Sequence, residues 1–176
     1  MKRPCRRSGS PSSAFVTAAC ACLLFALRAT DAGATTITVS SIAALQSAIN
    51  GAAAGDVLVL ADGTYLNNTL TIGTSNITVR AETPGGVRLN GTNVIKITGS
   101  YVTFSGFQFT SGSISGVVID VRGSHDLLTQ LNFNGYSAQK YIVIQDGTQY
   151  NEISFSNFEN KPVSAPAETT GTKRFD

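Results

Sequence analysis

Cysteine, histidine and charge are all scarce in this sequence, and each shortage removes a class of chemistry. The three cysteines, Cys5, Cys20 and Cys22, lie within the first 22 of 176 residues. Beyond them no disulfide, thiolate metal site or cysteine nucleophile is possible, so the remaining chain must be held by its core and by backbone pairing. There is one histidine, His125. Its neighbours Ser124 and Asp126 are adjacent in sequence, so the three side chains diverge on a turn and do not form a Ser-His-Asp relay. Charged residues make up 14% of the chain, well under the usual quarter or so.

What charge there is sits unevenly. Lys2, Arg3, Arg6 and Arg7 open the chain, an apolar run follows from Ala14 to Leu27, and Ala32-Gly33-Ala34 gives a small-x-small exit. A basic start, a short apolar middle and small residues at the end predict a secretory signal peptide over residues 1–34. The apolar run falls short of the roughly 20 residues that a membrane span needs. Cleavage after Ala34 would remove five of the thirteen basic residues and one of the eleven acidic ones. Eight against ten remain, so the formal charge changes from +2 to −2. The basicity is therefore a targeting feature. It supports neither nucleic-acid binding nor membrane binding after cleavage, and the expected location is extracellular.

What is present is a repeat. Ile95-Lys96-Ile97 returns as Ile119-Asp120-Val121 and as Ile142-Val143-Ile144, at steps of 24 and 23 residues. Val79, Phe104, Leu128 and Ile153 are spaced by 25, 24 and 25, and Phe109, Phe133 and Phe158 by 24 and 25. Leucine-rich repeats share this length but not the pattern. Each period holds two or three short β-branched runs in which apolar and polar residues alternate, ended by Gly, Asn or Ser. This describes one turn of a solenoid whose strands stack on their equivalents in the next turn. The predicted class is all-β, a right-handed single-stranded parallel β-helix of about five rungs over residues 35–161.

The ends differ. Ser41 to Gly51 reads as a helix, with Ser41 as N-cap, Gly51 at the exit and Ile42, Leu45 and Ile49 on one face. Placed just before a first strand at Asp56–Leu60, it would cap the solenoid. Residues 162–176 are polar, hold Pro162 and Pro166, and read as a tail marking a probable truncation point.

Two stretches resemble polysaccharide lyase family 6, which includes chondroitinase B and alginate lyases. One runs from Ser40-Ser41-Ile42 to Ala61-Asp62-Gly63-Thr64-Tyr65. The other is Asn151-Glu152-Ile153-Ser154-Phe155-Ser156-Asn157-Phe158-Glu159-Asn160-Lys161, with a Phe-x-x-Lys ending. The resemblance covers residues 36 to 162. It implies cleavage of uronic-acid polymers by β-elimination. A lysine base takes the C5 proton, an arginine assists, and calcium, held by Asn and a Glu-x-Glu pair, neutralises the substrate carboxylate. This chain has no Glu-x-Glu. No catalytic residue or metal ligand is therefore carried over. The expected function is that of the N-terminal portion of such a lyase with its catalytic rungs absent, and calcium is expected for a full-length member only.

The candidate contacts to an acidic polysaccharide are Lys96, Arg122, Lys140 and Lys161, the last at the family's Phe-x-x-Lys position. Lys96 and Asp120 should face outward as stacked neighbours, giving at least a surface ion pair. Asp120 and Asp146 are carboxylates by rung position, although Asp146 before Gly147 reads as a turn residue. Tyr136 and Tyr141 could stack on sugars but fit plain packing. Asn132 and Asn157 read as a hydrogen-bonded scaffold ladder. Asn67, Asn76 and Asn90 begin Asn-x-Ser/Thr sequons, relevant only in a eukaryotic secretory pathway. Two alternatives remain open: a non-catalytic secreted β-helix that binds polysaccharide or serves as a wall or matrix component, and a β-helix of the pectate-lyase or epimerase type.

Overall fold

The computed structural model describes residues 33–162. The cysteines, nearly all of the expected leader and the tail beyond residue 162 lie outside the described residues. Among the described residues no helix is long and apolar enough to cross a membrane.

The chain begins with β1 (Thr36–Val39), then α1 (Ile42–Gly51) and β2 (Val57–Leu60). There follow β3 (Gly63–Ile72), β4 (Thr78–Ala81), β5 (Val87–Ile97), β6 (Thr103–Ser105), β7 (Phe107–Thr110) and β8 (Ser113–Val121). The last five are β9 (Leu127–Thr129), β10 (Asn132–Asn134), β11 (Ser137–Ile144), β12 (Glu152–Ser154) and β13 (Asn157–Glu159). Every pairing is parallel, and the strands wind into a β-solenoid of about five turns.

Three faces result. The first stacks β1, β2, β4, β6, β9 and β12 in that order. The second stacks the first half of β3 on the first half of β5, then β7, β10 and β13. The third stacks the second halves of β3 and β5, then β8 and β11. Each face has one inward ladder that matches the repeat in the sequence. Leu58, Val79, Phe104, Leu128 and Ile153 align on the first, and Tyr65, Leu89, Phe109, Phe133 and Phe158 on the second. Leu70, Ile95, Ile119 and Ile142 align on the third. A strand spacing of about 4.8 Å lets identical side chains stack without a gap. Phe109 and Phe133 lie 4.3 Å apart with rings nearly parallel, as do Phe104 and Phe107.

The turns repeat as well. Asn76, Tyr101, His125 and Tyr150 all have φ between 56° and 61°. They follow Ser75, Ser100, Ser124 and Gln149, and the three serine hydroxyls accept from the backbone N–H of Ser100, Ser124 and Gln149 in turn. This ladder satisfies backbone donors that a tight turn would otherwise leave open.

The helix caps the first turn, with one change from expectation: β1 precedes it, so α1 lies between the first two strands of the first face rather than before them all. Ser41 accepts from the Ala44 N–H at 3.1 Å, as an N-cap should, and Leu45 and Ile49 are buried. The Gln46 amide donates to the Thr71 carbonyl and accepts from its N–H, at 2.9 and 2.8 Å. It thus imitates a neighbouring strand at the edge of β3. β1 escapes notice in the sequence because Thr36–Val39 is short and mostly exposed. It is tied down through Asp56, whose carboxylate accepts from the Thr35 N–H and hydroxyl and from the Ala53 N–H.

Candidate functional site

The motif Ala61-Asp62-Gly63-Thr64-Tyr65 does structural work. Asp62 accepts from the Thr83 N–H at 2.9 Å, and its own N–H donates to Glu82. The Tyr65 hydroxyl donates to the Ala61 carbonyl at 2.8 Å. Burial, then the charges of Asp62 and Glu82, push the Tyr65 phenol above its ordinary range. The Asp62 and Tyr65 bonds close the first corner.

The four candidate cations fall into two groups. Lys96, Asp120 and Val143 are in register on the outer side of the third face. The expected Lys96–Asp120 ion pair does not form. The carboxylate is instead bound by Arg122, just past the end of its own strand, at 2.8 Å, and by the Gln145 amide from the next turn. Side chains two apart on a strand share a side, so the longer guanidinium reaches the acid first. Partial burial pushes the Asp120 carboxyl up, but hydrogen bonds from Gln145 and Arg122, with the charges of Arg122 and Lys96, hold it below its ordinary value. Arg122 is 51% exposed, so its remaining N–H groups face solvent beside Lys96.

Lys140 and Lys161 belong to the other group, at the corner between the second and third faces. The Lys161 ammonium donates to the Gln139 carbonyl at 3.2 Å and lies 5.1 Å from the centre of the Tyr141 ring. Lys140 sits between those two residues in the chain. It borders the end of the last described turn, where Ile142, Ile153 and Phe158 are the final members of the three inward ladders. A cleft of about 330 Å³ is bounded by Ser113, Ile114, Ser115, Ser137, Ala138 and Gln139. Ser113 and Ser137 are 24 residues apart, one period of the repeat, but isolated serines carry no motif that marks a site. They are gathered by the pairing of β8 with β11.

The other expectations sort cleanly. Tyr136 and Tyr141 are core residues. Tyr136 is fully buried, with its hydroxyl donating to the Gly91 carbonyl at 2.7 Å, and Tyr141 stacks on Phe133. Gly112 must be glycine because a Cβ there would strike the Tyr136 ring and the Gly91 carbonyl. Asn132 and Asn157 are in register on the outer side of the second face but make no bond to each other. Asn157 turns to Glu159 instead. Two other asparagine pairs do bond: Asn68 to Asn93, buried, at 2.7 Å, and Asn160 to Asn134, exposed, at 3.1 Å.

His125 is stacked between Tyr101 and Tyr150 on an outer ridge, while Asp126 points inward to the Val102 N–H at 2.9 Å. No relay forms among Ser124, His125 and Asp126. Asp146 occupies an exposed turn. Asn67 and Asn76 are exposed at left-handed turn positions, and the Asn67 carbonyl oxygen accepts from the Thr92 N–H. Asn90 is half-buried in β5, with its amide oxygen enclosed.

Calcium was tested against the carboxylates present. Among the described residues no three acidic, histidine or cysteine side chains are grouped to hold a metal. Glu159 stands among amides, and one of its oxygens already accepts from Asn134 and Asn157. These residues do not fit a calcium site, and no chemical step is assigned through one.

A family model described as Chondroitinase B matches residues 39–152. Among solved structures, a PL6-family polysaccharide lyase from Pseudopedobacter saltans superposes with a TM-score of 0.61 at 21% identity, covering 72% of this chain and 38% of that one. The PL6-family alginate lyase AlyGC gives 0.55 at 29% identity, covering 58% and 16%. A mannuronic-acid-specific family 6 lyase from human gut microbiota gives 0.50 at 27%, covering 57% and 26%. The chain thus spans well under half the length of the lyases that it matches. No curated protein matches it.

Proposed function

This chain belongs to the chondroitinase B family, and on that premise we propose that it forms the N-terminal rungs of a secreted polysaccharide lyase acting on uronic-acid polymers. The observation that carries the proposal is the family match over residues 39–152, which spans the solenoid turns that hold Lys96, Arg122 and Lys140. Lyases with this fold that are at least a quarter identical to the chain are described as alginate- or mannuronic-acid-specific.

The reaction class is β-elimination: a base removes the proton on C5, the electrons form the C4–C5 double bond, and the glycosidic oxygen leaves C4. In a full-length relative, calcium would supply the positive charge that stabilises the carboxylate-bearing carbanion. The residues of this chain do a different part of the work. Lys96 and the free edge of Arg122 offer charge to one uronate carboxylate, and Lys140 and Lys161 to another, while the solenoid holds the two groups at a fixed separation. The groups that perform the elimination belong to further rungs.

Incubation with alginate, chondroitin and dermatan oligosaccharides tests this directly. We expect saturable binding that weakens with salt, without the ultraviolet absorbance of an unsaturated uronate product. Elimination by this chain alone would show that its own residues suffice and overturn the division of labour. Secretion has its own test, since the exported protein should begin at Thr35, and a mature chain that keeps residues 1–34 would contradict it.

A further inference from the structure

The corner between the second and third faces carries the same irregularity at two levels. Between β3 and β5 the register slips after Leu66–Asn90, so that Asn67 alone faces Gly91 and Thr92. Between β8 and β11 it slips after Ile114–Ala138, so that Gln139 alone faces Ser115 and Gly116. A bulge of this kind interrupts the ladder and re-aims the side chains beside it. At the lower level the chain fills the opening itself. Asn67 accepts from the Thr92 N–H at 2.9 Å, the Thr92 hydroxyl donates to the Ser113 carbonyl, and Asn68 and Asn93 bond beneath. At the upper level it does not. The hydroxyls of Ser113, Ser115 and Ser137 and the amide of Gln139 surround a cleft of about 330 Å³, and none of the four side chains bonds to another described residue.

We propose that this upper corner is a subsite for a single anionic sugar unit. The reading rests on the function proposed above and assigns the site within it. A pyranose has apolar C–H faces and a rim of hydroxyls. The cleft has Ile114 and Ala138 as its floor, both packed on the core, and hydroxyl and amide groups along its walls. Its volume lies at the small end of ligand sites, which run from about 300 to 1,000 Å³. The charge comes from Lys161. Its ammonium spends one hydrogen bond on the Gln139 carbonyl at 3.2 Å, which leaves two donors at the rim for a carboxylate. The unit bound there would therefore be a uronate rather than a neutral hexose.

The test is calorimetric titration of the whole chain with an alginate tetrasaccharide, and in parallel with a neutral cello-oligosaccharide of equal length. Gln139→Glu keeps the size of the side chain and brings a negative charge to the cleft. It should weaken alginate binding about tenfold, an effect that fades with added salt, without changing the melting temperature. Ser115→Ala should weaken binding about threefold, the scale of one lost hydrogen bond. If both variants bind as the parent does while Lys161→Ala and Arg122→Ala bind less, the subsite is wrong and the proposed function stands. If the parent binds no uronate, or binds the neutral oligosaccharide equally well, both readings fall.

Discussion

Two corners of this solenoid share one irregularity and put it to different use. In the lower corner the buried asparagine pair Asn68–Asn93 is matched. The Asn93 side-chain amide donates to the carbonyls of Leu89 and Gly91 and its oxygen accepts from Asn68, while its backbone N–H donates to the Tyr136 hydroxyl at 3.0 Å. In the upper corner, two turns on, small hydroxyls stand in place of the asparagines, and none of them bonds to another described residue. The backbone slip is thus neutral in itself. Whether it becomes scaffold or binding site depends on whether the side chains nearby can satisfy one another.

The largest effect that breaks the comparison should come from Asn93→Ala. It removes the buried acceptor of the Asn68 amide and one donor each from the Leu89 and Gly91 carbonyls, and should cost about 3 kcal/mol in chemical denaturation. Tyr136→Phe comes next. It keeps the packing over Gly112 and removes only the hydroxyl, for a loss of about 1–2 kcal/mol. If either variant is neutral, the lower corner is not the fixed point we take it to be.

Asp126→Asn should have an effect of about 1 kcal/mol in the opposite direction at neutral pH. Asp126 is 1% exposed, and one of its oxygens is enclosed without a partner. Burial raises its carboxyl above the ordinary range, against the opposing pull of the Val102 N–H and the charge of His125. An acid raised in the folded state binds its proton more tightly there than in the unfolded chain. Its favourable contribution is therefore present at low pH and lost as pH rises through the folded pKa. The parent should lose stability across that window, and the variant should not. Asp56 has the reverse sign. The N–H groups of Thr35 and Ala53 and the Thr35 hydroxyl lower its carboxyl, so its support for β1 is present above the ordinary aspartate range and is lost as pH falls. The smallest stability changes belong to Ser115→Ala and Gln139→Ala, which should stay within about 0.5 kcal/mol of the parent in thermal melts because nothing in the fold leans on them.

The sequence announced the fold through its period. Ile95, Ile119 and Ile142, and Phe109, Phe133 and Phe158, are aligned in space as they are in the chain, because a parallel solenoid turns sequence separation directly into stacking. The helix was legible too, from its cap and its spacing. Other features were not. β1 is four residues, three of them exposed, with no periodicity to betray them; it is held by pairing with β2 and by a carboxylate 21 residues beyond Thr35. The ion partner of Asp120 depended on side-chain reach, which register alone does not give. A bonded asparagine pair was expected at Asn132 and Asn157, where the repeat is plain, yet the buried pair occurs at Asn68 and Asn93, beside a bulge. Of the candidate site, the cations could be named from sequence. Their division into two groups, and the hydroxyl cleft beside one of them, came only with the pairing of β8 and β11.

The measurement that bears most directly on this account is a titration of the isotopically labelled chain with an alginate oligosaccharide at low salt, followed through backbone amide resonances. The account predicts saturable shifts gathered at residues 113–115, 137–141 and 161, with smaller ones near Lys96 and Arg122. An absence of shifts, or shifts confined to the Tyr101–His125–Tyr150 ridge on the far side of a turn, would contradict it.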